Sequence, residues 1–176
     1  MNRYLIVVDM QKDFVDGALG SVEAQGIVKN VVNKIKNWDG RVIVTMDTHS
    51  SNYLQSREGK YLPIEHCIKG NAGWMLDANV NGALKDKRDV FYLEKPSFGT
   101  LELVNMLRYL QDGNEEFEVE LIGLCTDICV VSNALVIKAA FPEISICVDA
   151  SCCAGVSVEG HEAALKTMQA CQIDIL

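Results

Sequence analysis

Short apolar runs alternate with stretches of helical periodicity along the chain, and this alternation limits the fold most strongly. Five apolar runs, at 4–8, 41–46, 90–94, 117–124 and 144–148, have the length and β-branched content of buried strands. Helical periodicity follows the first, third, fourth and fifth of these runs. Because parallel strands need long crossover connections, usually helices, the pattern predicts a parallel sheet with helices on both faces.

The predicted class is therefore α/β, a three-layer α/β/α fold with a doubly wound, mainly parallel sheet of about six strands. The segment 173–176 is the candidate for the sixth strand. We interpret residues 1–176 as a single domain, because the length suits one core and no linker or charge run divides the chain. Ser21 and Thr126 are predicted to cap the N-termini of helices, and Gly113 is predicted to end one.

Charge and cysteine content exclude several classes of protein. With 16 basic and 24 acidic residues the net charge is −8, which argues against binding to nucleic acid or to an anionic membrane. The N-terminal apolar run breaks at Asp9, too early for a signal peptide, and no run approaches the length of a membrane span. The seven cysteines contain no Cys-x-x-Cys pair and suggest reduced thiols. We expect a cytoplasmic protein.

Polar or reactive residues stand where the predicted strands end. Asp9, Asp47 and Lys95 end the first three strands, and Cys129 follows the fourth within the first turn of a helix. Ligands of such sheets bind beyond the carboxyl ends of the strands, so these side chains are expected to share one crevice. No G-x-G-x-x-G or P-loop motif follows a strand, so we expect no organic cofactor.

Three of these side chains suit nucleophilic catalysis. Free N–H groups and the helix dipole at a helix N-terminus stabilise the thiolate of a residue such as Cys129, and Lys95 would add to this effect. Asp9 has the chemistry of the base that such a nucleophile needs. Taken singly, each has a structural alternative: a buried thiol, a strand-end charge and a turn-forming residue. Their coincidence at the strand ends favours the catalytic interpretation.

A second group has the chemistry of a metal site. Asp47 and His49 form an Asp-x-His pair, and His66 follows in the same irregular segment. One carboxylate and two imidazoles provide three ligands and leave positions for water or substrate. Glu58 and Glu65 lie in this segment, and either one is a candidate for a further ligand.

Three blocks together resemble the isochorismatase-like cysteine hydrolases. They are DMQKDF at 9–14, KPSFGT at 95–100 and GLCTDICV at 123–130, in the order of that family. The resemblance implies that Asp9, Lys95 and Cys129 are the catalytic acid, lysine and thiol. It further implies a cis peptide before Cys125, with the backbone N–H groups of Cys125 and Cys129 forming an oxyanion hole.

Within that family, DTH at 47–49 and PIEHCIKG at 63–70 resemble the nicotinamidase branch. The branch holds one divalent metal, zinc or iron being the best candidates, on residues that match Asp47, His49 and His66. Glu58 is the nearest candidate for a fourth ligand. The implied pocket walls are Phe14, Leu62 and Tyr61, with Leu62 standing where the branch usually has tryptophan.

The resemblance implies a cysteine hydrolase that cleaves nicotinamide to nicotinate and ammonia through a thioester, with a bound metal. One alternative is an amidase for another small carbamoyl or ureido substrate, or an isochorismatase-type hydrolase. Another is a binding protein on the same fold that has lost its chemistry. Members of the family commonly form homo-oligomers, so we expect one here.

Overall fold

The computed structural model describes residues 2–111 and 116–176. Within these residues, six strands form one parallel sheet in the order β3-β2-β1-β4-β5-β6, which confirms the predicted fold class. The strands are β1 Asn2–Val8, β2 Arg41–Asp47, β3 Val90–Lys95, β4 Phe117–Leu124, β5 Ser145–Ala154 and β6 Asp174–Ile175. The α-helices are α1 Lys12–Val15, α2 Val22–Asn37, α3 Arg57–Tyr61, α4 Ala78–Lys85, α5 Leu101–Leu110, α6 Val131–Ala140 and α7 Val158–Ala170.

The sheet separates two hydrophobic cores. Leu5 and Val7 of β1 belong to one core, with residues of α2 and α4, whereas Ile6 and Val8 belong to the other, with residues of α5, α6 and α7. Successive side chains of a strand point to opposite faces, so both faces of β1 must be apolar. This explains why the run at 4–8 shows no alternation of polar and apolar residues.

Of the two predicted caps, the first is confirmed and the second is wrong. The Ser21 side chain accepts a hydrogen bond from the N–H of Ala24, 3.0 Å away, at the start of α2. Thr126 does not cap a helix; its Oγ1 lies 2.8 Å from Nδ1 of His161. A π-helical segment, Thr126–Val130, separates β4 from α6. The local hydrogen bonding of this turn therefore differs from that of an ordinary helix start.

Strand β5 and helix α4 also differ from the sequence-based expectations. Strand β5 continues to Ala154 instead of ending near Asp149, and the β4–β5 register shifts between Leu121 and Gly123. Helix α4 was not predicted, because its eight residues contain two asparagines and a glycine. Gly113, the predicted end of a helix, lies outside the described residues; α5 itself ends at Leu110.

Gly123 lets β4 approach β1 closely at the carboxyl end of the sheet. Its φ is +120°, and a Cβ atom built there would lie 2.1 Å from the carbonyl oxygen of Val8. Only glycine fits this position without a shift of one strand. The close approach brings the end of β1 next to the end of β4.

No helix in the described part of the chain is long and apolar enough to span a membrane.

Candidate active site

The ends of β1, β3 and the turn after β4 bring a carboxylate, an ammonium and a thiol together. Nζ of Lys95 lies 2.7 Å from Oδ2 of Asp9 and donates to Sγ of Cys129 at 3.5 Å. It also donates to the carbonyl oxygen of Ser97 at 3.0 Å. Asp9 and Lys95 are fully buried, while Cys129 is 6% exposed. One ammonium thus contacts both the acid and the thiol.

A buried threonine fixes the orientation of Asp9. Asp9 has a positive φ of 48°, and its N–H donates to the carbonyl oxygen of Thr45 at 3.2 Å. The Thr45 hydroxyl donates to Oδ1 of Asp9 at 2.7 Å. Thr45 was not predicted as a site residue; the available signal was a polar residue inside the apolar run of β2.

Asn133 of α6 fixes the turn that carries the thiol. Its side-chain amide donates to the carbonyl oxygens of Cys129, at 2.8 Å, and Phe98, at 3.0 Å. Its Oδ1 accepts the N–H of Thr100 at 3.1 Å. Asn133 is fully buried and ties the segment after β3 to the π-helical segment. The peptide bond between Leu124 and Cys125 is cis, as the family resemblance implied.

Burial keeps the proton on the thiol in the substrate-free site. Burial raises the pKa of Cys129 well above its usual value, the Asp9 charge adds to this, and Lys95 opposes it. Burial also raises the pKa of Asp9, against the opposing charge of Lys95. Burial lowers the pKa of Lys95, but the negative charges of Asp9 and Asp47 outweigh this effect and raise that pKa. Lys95 is therefore a permanent cation beside an acid whose proton affinity is increased.

Four further side chains form a compact group beside this triad. One ligand atom from each of Asp47, His49, Glu58 and His66 lies within 4.8 Å of the others. Nε2 of His49 lies 2.8 Å from Oδ2 of Asp47, and Nε2 of His66 lies 3.6 Å from both Asp47 Oδ2 and Glu58 Oε1. Glu65 is exposed, and it is Glu58 that joins this group.

This group fits a transition metal. Nε2 of His49 is buried and lies 2.8 Å from Oδ2 of Asp47 and 3.7 Å from Oε1 of Glu58, so an imidazole and two carboxylates approach one another as ligands of a single ion would. Nδ1 of His66 is 2.9 Å from the Ile64 carbonyl oxygen, and a hydrogen bond there turns Nε2 towards the carboxylates. Two imidazoles and two carboxylates are a ligand set that suits zinc or iron.

The electrostatics of this four-residue group favour a positive charge among the carboxylates. Burial disfavours ionisation of Asp47, but hydrogen bonds from His49 and His66 and the charge of Lys95 hold its pKa well below the usual range. Burial lowers the pKa of His66, yet hydrogen bonds to Asp47 and Glu58 outweigh it and raise that pKa to about 10. Two carboxylates this close are stabilised by a proton or by a metal cation.

Two residues of the 9–14 block hold the backbone of the candidate metal site in place. Gln11 donates to the carbonyl oxygen of Asp47 at 2.8 Å and accepts from its N–H at 2.7 Å. Asp13 accepts the N–H of Cys67, next to His66, at 2.8 Å. Gln11 and Asp13 were not predicted as site residues. The signal available was their position just beyond the carboxyl end of β1, the edge of the sheet where the other site residues lie.

A cavity of about 450 Å³ opens between the two groups. Cys125, Cys129, Asp47, Glu58 and His66 line it, so the thiol and three of the four candidate metal ligands face the same space. Its apolar lining includes Phe14, Leu19, Ala24, Leu62, Phe98, Leu124, Ile128 and Val156.

Phe14 and Leu62 therefore lie where the resemblance put them, and Tyr61 does not. The Tyr61 ring is 78% exposed, lies 5.4 Å from the guanidinium of Arg57 and does not line this cavity. Tyr61 is the last residue of the short helix α3, and Leu62 lies just beyond it. Phe98 and Ile128 line the cavity instead, and neither was predicted as a pocket residue.

Comparison with known proteins gives consistent results. Residues 3–176 match the Isochorismatase domain family. A Bacillus subtilis (strain 168) protein described as an uncharacterised isochorismatase family protein, PncA, is 32% identical over 94% of this chain and 93% of its own length.

Two solved structures share the whole fold. The nicotinamidase/pyrazinamidase PncA from Bacillus subtilis superposes with a TM-score of 0.85, 26% identity and 99% coverage of both chains. A pyrazinamidase of Pyrococcus horikoshii in complex with zinc superposes with a TM-score of 0.81 and 26% identity, over 100% of this chain and 99% of its own.

Proposed function

The chain belongs to the isochorismatase domain family, and we propose that it is a metal-dependent cysteine amidase that converts nicotinamide to nicotinate and ammonia. The observation that carries this proposal is the contact of one buried ammonium, Lys95, with both Asp9 and Cys129. The thiol faces a largely apolar cavity large enough for an aromatic amide. Similarity to solved nicotinamidases supports the choice of amide.

The first half-reaction forms a thioester on Cys129. Asp9 takes the thiol proton, which its raised pKa favours, while Lys95 stabilises the developing thiolate. The sulfur attacks the amide carbonyl carbon, and the oxyanion accepts hydrogen bonds from the N–H groups of Cys125 and Cys129. Each such donor contributes about 2.7–4 kcal/mol in comparable enzymes. Asp9 then returns the proton to the nitrogen, so the C–N bond breaks and ammonia leaves.

The second half-reaction hydrolyses the thioester. Asp9, again ionised, takes a proton from water, whose oxygen attacks the same carbonyl carbon in the same oxyanion hole. When the tetrahedral intermediate collapses, the C–S bond breaks and the acid is released. The proton returns to sulfur and restores the thiol, which burial favours in the resting site. Asp9 therefore carries a proton in both directions, and Lys95 keeps its charge throughout.

Asp47, His49 and His66 would hold the metal, with Glu58 as the fourth ligand and zinc or iron as the ion. When bound, it supplies a Lewis acid that anchors the ring nitrogen of the substrate or lowers the pKa of a water. A metal cation would also balance the two carboxylates of this group.

An isochorismatase-type ether hydrolase is disfavoured, because that branch lacks the cysteine nucleophile that Cys129 matches. A metal-free carbamoyl amidase would not explain why four potential metal ligands are grouped beside the thiol. A non-catalytic binding protein leaves the buried Asp9–Lys95 pair unexplained, since burying such charges is costly.

Ammonia release from nicotinamide, pyrazinamide, benzamide and a ureido compound tests the proposal, and consumption of isochorismate, which contains no nitrogen, is measured separately. Turnover of the pyridine and pyrazine carboxamides, with an acyl adduct on Cys129 detected by mass spectrometry, is the expected result. Absence of turnover with every carboxamide by the metal-loaded protein would refute it.

We further propose that the protein works as a homo-oligomer in the cytoplasm. All seven cysteines are unpaired, as expected in a reducing compartment. Analytical ultracentrifugation tests the first statement and cell fractionation tests the second.

A further inference from the structure

A second cavity, of about 660 Å³, adjoins the catalytic one. Four residues line both cavities: Glu58, Leu62, Phe98 and Ile128. Three of these four are apolar, so the boundary between the two spaces consists mainly of hydrocarbon. The two cavities therefore meet along these four side chains.

The far side of the second cavity is also suited to an apolar group. Pro96 and the ring of Tyr61 line it together with Phe98. The Phe98 ring is 46% exposed, so a flat partner has an aromatic face to contact. Arg57 lies at this side as well, where its guanidinium holds the Tyr61 ring 5.4 Å away.

Two residues at or beside this boundary bear on access from one cavity to the other. Leu62 is an aliphatic side chain at the boundary, smaller than the tryptophan usual at this position. Tyr61, the neighbouring aromatic residue, is turned outwards against Arg57 and does not close the gap. Nicotinamide is a single ring with one carboxamide, and bound with its carbonyl at Cys129 it would fill only the first cavity.

We propose that the second cavity is a substrate subsite, and that the preferred substrate is an aromatic carboxamide with an apolar or aryl substituent on its ring. This inference rests on the proposed amidase function and specifies its substrate class. The carboxamide lies at Cys129, the ring lies in the first cavity, and the substituent passes Leu62 to contact Phe98 and Tyr61.

Kinetics with matched substrates test the subsite. The value of kcat/KM is measured by ammonia release for nicotinamide, 5-phenylnicotinamide and 6-phenylnicotinamide. At least one phenyl derivative should exceed nicotinamide roughly tenfold or more, the scale expected for burying a further ring. Values for both derivatives equal to or below that of nicotinamide would overturn the proposal and leave the amidase function standing.

A substitution at the boundary supplies the matched comparison. Leu62→Trp should lower the ratio of kcat/KM for the better phenyl derivative to that for nicotinamide by about tenfold, because the larger side chain fills the passage. Leu54→Trp adds the same ring to the same segment at a half-exposed position that lines neither cavity, and it should leave the ratio unchanged. An unchanged ratio in Leu62→Trp would overturn the proposal.

Two measurements separate this inference from its alternatives. If no amide is hydrolysed, the amidase proposal fails, but calorimetric titration of the Cys129→Ala protein still decides the subsite. Tighter binding of a phenyl derivative than of nicotinamide supports the subsite, and equal or weaker binding overturns it. If Tyr61→Glu dissociates an oligomer in ultracentrifugation and leaves the substrate ratio unchanged, a second copy of the chain covers the cavity, and the subsite is refuted.

Discussion

Nζ of Lys95 lies 3.6 Å from Oδ1 of Asp47, whose other oxygen lies 2.8 Å from Nε2 of His49. Asp47 thus belongs to both groups of the site, the ion pair around Lys95 and the candidate metal ligands. Its charge raises the pKa of both Asp9 and Cys129. A cation bound to Asp47 would offset this charge and so lower the pKa of Asp9 and Cys129. Metal binding at the candidate ligands and the pKa values of the catalytic acid and thiol are therefore linked.

Cys129→Ala is expected to lower kcat by roughly four orders of magnitude or more, because it removes the nucleophile. The melting temperature should change little, since the side chain lost is small. Ammonia release and thermal unfolding measure the two effects. Cys147→Ala is the control: this thiol lies on β5, outside the cavity lining, and its loss should leave turnover intact. Near-normal turnover by the Cys129 variant would contradict the mechanism.

The pH profile of kcat/KM should reflect the raised pKa of Asp9. Activity requires the ionised carboxylate, so the rate should rise with pH through a value above the 3.8 of an ordinary aspartate. The Thr45 hydrogen bond lowers the pKa of Asp9, so Thr45→Val should move this limb to higher pH while retaining turnover.

Asp9→Asn should instead remove turnover at every pH, because an amide cannot carry the proton. If the low-pH part of the kcat/KM profile is identical in the parent and in Thr45→Val, a group other than Asp9 controls it.

Elemental analysis of protein purified without chelator should give about one transition metal per chain. His49→Ala and His66→Ala should each lose it, and Glu58→Gln should weaken binding less, because an amide oxygen can still ligate. His161→Ala is the matched control, since this histidine contacts Thr126 outside the ligand group. Removal of the metal should also lower the melting temperature of the parent protein. A metal-free parent with full activity would refute the site.

A separate ion-pair group should make stability depend on pH. Lys34 lies 2.8 Å from Asp149, and this pairing, with the hydrogen bond from Ser151, holds the pKa of Asp149 below its usual value despite burial. A lowered folded-state pKa stabilises the fold above the unfolded pKa near 3.8, and this stabilisation is lost as the pH falls through the folded pKa.

Asp149→Asn should therefore lower the free energy of unfolding by about 1–2 kcal/mol at neutral pH. The difference from the parent should shrink in strong acid. Urea unfolding at several pH values measures it. The exposed pair of Lys69 and Glu94 provides the control, and Glu94→Gln should have little effect at any pH. A difference that stays constant with pH would contradict the assignment.

Strand positions, and with them the residues at strand ends, were predictable because buried parallel strands are continuous apolar runs. Asp9, Asp47 and Lys95 could therefore be assigned to one edge of the sheet before the structure was known. Thr45 and Asn133 could not, because their roles depend on contacts between segments distant in the chain. Nothing local distinguishes them from other polar residues in apolar surroundings.

Side-chain direction was the other feature that local pattern did not determine. Tyr61 and Leu62 are neighbours, yet only Leu62 faces the catalytic cavity, because α3 ends between them. Threonine is a residue type that often caps helices, but the Thr126 hydroxyl is hydrogen-bonded to His161 of α7 instead. In both cases tertiary contacts override a local preference.

The close approach at Gly123 has a consequence for how the chain tolerates mutation. This residue contacts no substrate, yet the absence of a side chain there sets how near the end of β1, with its acid, comes to the end of β4. A descendant with alanine at this position would keep every catalytic group and still have its acid and thiol pushed apart. A substitution of Gly123 would thus remove activity although this residue carries no reactive side chain.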